Sequence, residues 1–65
     1  MAEFAVGQFV ELYATIPSPT GGSISSGTRC IVDDIRGERC LVALLASERR
    51  TGEQIWVRQI ELFPA

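Results

Sequence analysis

Residues 29–45, Arg-Cys-Ile-Val-Asp-Asp-Ile-Arg-Gly-Glu-Arg-Cys-Leu-Val-Ala-Leu-Leu, constrain the fold more than any other part of the chain. Two runs rich in β-branched and aliphatic residues flank Arg36, Gly37 and Glu38. A glycine between two such runs marks a hairpin, because it reaches the positive φ that a tight turn requires. The spacing predicts strands over 28–35 and 39–45, and neither run has the length or period of a helix. A chain organised around this hairpin is all-β.

Register then decides which side chains share a face, since a slip of one residue exchanges the two faces. If Ile35 pairs with Arg39, then Cys30, Val32 and Asp34 lie on the same face as Cys40, Val42 and Leu44. The other face carries Ile31, Asp33, Leu41, Ala43 and Leu45. Cys30 stands opposite Leu44 and Cys40 opposite Asp34, which separates the thiols by about four residues at ~3.3 Å each. That exceeds the ~7 Å Cα reach of a disulfide. Both cysteines are expected as reduced core thiols, packed like small hydrophobes. Free thiols and the lack of a secretory leader pattern give a cytoplasmic location as the expectation.

The remaining segments fit one domain spanning 1–65. A chain of this size buries only about 60% of the surface its unfolded form exposes, so a second surface would help it. Phe4 and Val6 are placed to pack on the domain as a short lead-in, and residues 9–13 alternate as a strand. Residues 14–27 hold Pro17, Pro19 and three glycines and read as a long irregular loop, with Ile16 and Ile24 pinning its ends. Loops of this length in small domains are often functional, which makes this one a candidate binding loop. Residues 47–53 read as a polar turn whose Arg49 and Arg50 are a candidate anion contact. A strand over 54–58, a helical or 3₁₀ turn at Gln59 and Ile60, and a closing strand over 61–63 complete the chain. Five short strands, a long first loop and a short 3₁₀ turn before the last strand are the order of a small SH3-like barrel.

Composition removes several classes of function. The formal charge is −2 with no lysine, asparagine or histidine, so a basic nucleic-acid surface is not expected. Without histidine there is no side chain whose ordinary pKa suits proton transfer near pH 7, and two cysteines ten residues apart do not make a zinc site. The longest apolar run, residues 40–46, is far short of the ~20 residues that span a bilayer. Neither metal nor cofactor is expected, and the reading is non-enzymatic.

What remains is surface. Ile31, Leu41, Ala43 and Leu45 form an apolar stripe on the outer face of the hairpin, and Trp56 extends it if the fourth strand pairs alongside. A contiguous patch of this kind marks an interaction site. The expected partner is a protein, either another chain or a second copy in a homo-oligomer, unless the lead-in or the long loop folds over the stripe.

Two resemblances add to this reading. Gly7-Gln-Phe-Val10, the Ser26 to Ile35 segment, Cys40-Leu-Val-Ala-Leu44 and the Trp56 to Leu62 segment resemble the small bacterial SH3-like barrels of the KOW-related kind. Those run G-x-x-V, G-x-x-G-x-V-x-x-I, an alternating strand and a final x-x-x-L, and Cys30 stands where their second glycine usually stands. This resemblance implies the barrel and, as an alternative function, an RNA- or ribosome-associated module with Arg36, Arg39, Arg49 and Arg50 as contacts. The Gly52 to Leu62 segment is also similar to the plasmid-borne, trimethoprim-insensitive dihydrofolate reductases, in which four SH3-like barrels surround one pore. It implies a pore lined by Gln54, Ile55 and Trp56, with NADPH as cofactor. That family has a lysine after its first strand, and this chain has none, which counts against reductase activity.

Overall fold

The computed structural model describes residues 4–65. Seven strands follow one another: β1 (Phe9–Leu12), β2 (Ile16–Pro17), β3 (Ser23–Ile24), β4 (Arg29–Arg36), β5 (Arg39–Ala46), β6 (Arg49–Arg58) and β7 (Leu62–Pro64). A 3₁₀ turn, Gln59–Glu61, separates the last two. The protein is all-β, as its alternating apolar runs predict. Five strands form one antiparallel sheet in the order β6-β5-β4-β1-β7, and β2 and β3 form a separate two-stranded ladder. No ladder joins β6 to β7 or to β2 among the described residues, so the sheet curls without closing.

The core lies on the concave face. Val10, Leu12, Cys30, Val32, Cys40 and Val42 are its most deeply buried members, and Phe4, Ile24, Leu44, Ile55, Val57 and Leu62 surround them. Phe4 joins the core while Val6 is exposed, so half of the expected lead-in packing is present. Within the described residues no buried polar side-chain atom lacks a partner.

The central hairpin departs from the simple register. Cys30 does pair with Leu44, but Ile35 pairs with Cys40 rather than Arg39, and Asp34 pairs with Leu41. An irregularity between Val32 and Asp34 inserts one extra residue into β4. Its physical reason is legible in the side chains. Val32 and Ile35 are three apart and cannot share a face in a regular strand, whereas the inserted residue lets both turn inward. It also moves Asp34 out of the core, where its charge would have no partner. Instead, Asp34 Oδ1 accepts the Ile35 N–H at 2.9 Å and Oδ2 accepts Arg36 Nε at 3.4 Å.

Two loops are more ordered than their composition suggests. Within 14–27, Ile16 pairs with Ile24 and Pro17 with Ser23, so the segment expected to be irregular is a small hairpin pinned by the two isoleucines. Ser18 N–H donates to Gly22 O at 3.1 Å, and Gly21 and Gly22 supply the positive φ of the tip. The polar stretch 47–53 is not a long turn either. β6 starts at Arg49, and the connection is the two residues Ser47 and Glu48, at φ 52° and 67°. Two successive positive-φ residues make a type I′ turn, whose twist suits a hairpin even when neither residue is glycine.

Candidate functional site

The expected outer stripe is only partly available. Ala43 is 2% exposed, so it belongs to the buried set and not to an interaction surface. Ile31, Leu41 and Leu45 are half-buried, and Trp56, opposite Leu41, is 45% exposed. A side-chain clamp crosses the stripe. Asp33 on β4 receives Arg50 Nη1 at 3.0 Å, Arg50 Nη2 at 2.8 Å and Gln54 Nε2 at 2.7 Å, both donors coming from β6. Because β5 lies between those strands, this clamp straddles it at the level of Ala43, whose Cα partners are Ile31 and Gln54.

The clamp also engages Arg50, one of the two candidate anion contacts, through Nη1 and Nη2. Those donors hold the Asp33 carboxyl below its ordinary value, with the Arg50 and Gln54 hydrogen bonds leading and the Arg50 charge adding to them. Arg49 remains exposed at the start of β6. Arg29 pairs with Glu48 and lies 5.6 Å from the Phe9 ring centroid, while Arg36, Arg39 and Arg58 form one cross-strand row.

Burial pushes the Cys30 thiol up to about 11 and the Cys40 thiol in the same direction. Both cysteines are free. Cys30 Sγ lies 3.7 Å from Thr28 O. Thiols in this setting stay protonated near neutral pH and are poor nucleophiles.

Sequence reasoning placed the loop residues and the pore residues in separate hypotheses, but the fold brings them together. Ile16, Pro17, Ser18 and Pro19 of the small hairpin face Gln54, Ile55, Trp56 and Val57 of β6 across a groove of about 570 Å³. Glu61 of the 3₁₀ turn also lines it. Ile24 is not at the groove; it is buried in the core beneath the hairpin. The groove runs along the seam where β6 and the small hairpin fail to pair.

The two walls of the seam differ in hydrogen-bonding capacity. Gln59 N–H donates to Glu38 O at 2.8 Å, toward β5. Because backbone groups alternate along a strand, Val57 and Ile55 also turn theirs toward β5, and Arg58, Trp56 and Gln54 turn theirs to the free edge. Arg58 N–H is satisfied by Glu61 Oε1 at 2.9 Å. Nothing comparable meets Trp56 or Gln54 among the described residues. On the opposite wall Ser18 N–H points into its own hairpin, so the outward position of β2 falls to Pro17, and Pro19 follows in the turn. Neither has an N–H to donate. At these two positions the wall offers β6 no main-chain donor.

Ser18, Val57 and Glu61 were not singled out from the sequence. Pro17 and Pro19 carried the available signal, because neither has a main-chain N–H to pair with a neighbouring strand.

No helix among the described residues is long and apolar enough to cross a membrane. Compared with protein-family models, with characterised proteins and with solved structures, the chain has no significant match.

Proposed function

We propose that the chain is a non-enzymatic protein-binding module, an SH3-like barrel left open along one seam, and that its partner docks in the seam groove. The strand order β6-β5-β4-β1-β7, with a hairpin between the first two sheet strands and a 3₁₀ turn before the last, supports the barrel reading. A concave, mostly apolar groove with a few polar groups supports binding. The observation that carries the reading is Trp56, a large aromatic side chain left 45% exposed beside Pro17 and Pro19, in a groove that no part of the described chain fills. Aromatic residues in partly desolvated pockets dominate binding energies. The outer face contributes less, because the Asp33 clamp occupies its centre.

The absence of histidine and the two high-pKa thiols support a module that binds without catalysing. The test is affinity capture from the native cell with the intact chain and with Trp56→Ala. A protein retained by the first and released at least tenfold by the second is the expected result. Equal retention by Trp56→Ala, with retention lost instead in Leu41→Glu, would move the interface to the outer sheet face and overturn the groove as the site.

A further inference from the structure

We infer that the partner contributes an extended segment that adds as a strand to the free edge of β6, its main chain pairing with Gln54 and Trp56 and a basic side chain reaching Glu61. This rests on the groove being a protein-binding site and specifies how the partner is held.

The geometry limits the ligand in three ways. Among the described residues of β6, the Gln54 and Trp56 N–H groups face the groove unpaired, whereas the next one, Arg58 N–H, is already capped by Glu61 Oε1 at 2.9 Å. Two residues two positions apart offer two donors and two acceptors, enough for about four residues of an incoming strand at ~3.3 Å per residue. Main-chain pairing of this kind supplies affinity, while alternate side chains supply selectivity. The opposite wall offers proline rings at Pro17 and Pro19 and no N–H, so the segment packs against that wall without a second ladder. Glu61 is the one charged residue in the lining, which favours lysine or arginine just beyond the Trp56 rung.

A second copy of this chain does not fit the same place. Its own β6 carries β5 along one edge and faces its own small hairpin along the other. Entering a groove already walled by the hairpin would force a sheet into the width of one strand. A single extended segment has no such neighbours. The partner is therefore a protein with an exposed, extended stretch, alternating in apolar residues, ending in a basic residue and lacking proline at the two paired positions.

The experiment uses the full chain labelled with nitrogen-15 and three synthetic peptides. These are acetyl-Thr-Val-Thr-Val-Thr-Arg-amide, the same peptide N-methylated throughout, and the same peptide with glutamate in place of arginine. The expected result is that the first peptide shifts the Gln54 and Trp56 amide resonances and slows their hydrogen exchange at least tenfold. The methylated peptide binds at least tenfold more weakly, and the glutamate peptide at least threefold more weakly. In Glu61→Gln the difference between arginine and glutamate peptides disappears; if it persists, the basic-residue assignment is wrong. Equal binding of the methylated peptide overturns strand addition, although shifts at the Trp56 indole would leave the groove as a protein-binding site. No change at any groove resonance with millimolar peptide overturns both. Sedimentation of the free chain as a dimer, with the Gln54 and Trp56 amides already protected, would assign the edge to a second copy instead.

Discussion

Asp33 shows how one side chain can redirect a surface. Its alternation with Asp34 suggests two carboxylates on opposite faces, but the extra residue in β4 places Asp33 where Arg50 and Gln54 can both reach it. The pairing has a definite pH signature. The folded-state pKa lies below the ordinary 3.8, so the charged form is favoured by folding. The stabilisation is present above about pH 4 and is lost as pH falls through the depressed folded value. Thermal melts of the intact chain should show a fall in Tm over that acid range, and Asp33→Asn should flatten it. A slope unchanged by the substitution would mean that other carboxylates set the acid response. Trp56 and Leu41 were legible as surface residues because both lie on the polar-facing parity of their strands. Ala43 was not, because the Asp33 clamp over it joins side chains of the two strands that flank β5.

At the scale of elements, turn chemistry explains most of the differences between expectation and fold. Gly37 marks the β4–β5 turn in the sequence and has φ 58° in the structure, so that hairpin was readable. Ser47 and Glu48 carry no such mark, yet they occupy the two positive-φ positions of the β5–β6 turn. Left-handed conformations cost most residues but little for glycine or asparagine. The double substitution Ser47→Asn, Glu48→Gly should therefore stabilise the fold by about 1 kcal/mol, the combined scale of such backbone replacements. The Arg29 to Glu48 ion pair would be lost, but exposed pairs contribute little. Urea unfolding measures the change, and a lower midpoint would show that the ion pair matters more than the turn. β6 also extends further than its apolar pattern, since Arg49 and Arg50 pair with Ala46 and Leu45 beyond an irregularity, without contributing to the core. Periodicity sees a strand only where one face is buried. Here the hydrogen-bonded ladder continues past the buried segment.

For the whole molecule, the open seam is the feature with the greatest consequence. The described residues enclose a core of aliphatic side chains, Phe4 and two thiols, and the sheet stops short of closing where Pro17 and Pro19 face β6. Replacing both prolines by threonine would return two N–H donors to that wall. Pro17→Thr, Pro19→Thr should zip the hairpin onto β6, protect the Gln54 and Trp56 amides in the absence of any ligand, and reduce peptide binding at least tenfold. Hydrogen exchange reads the first effect and titration the second. Amides that remain unprotected would show that the prolines are not what holds the seam open.

The all-β class, the central hairpin, the inward-facing residues that hairpin gives to the core and the unbridged Cys30 and Cys40 follow from the sequence alone. Each follows from local alternation or from the distance between two positions on adjacent strands. The register beyond Asp33, the clamp over Ala43 and the meeting of Pro17 and Pro19 with Gln54 and Trp56 became visible in the fold. Those depend on groups distant in the chain, and on which backbone donors are already used. The hairpin at 29–45 was thus readable as the organiser of the core, whereas the groove became visible only once the sheet was known to stop before closing.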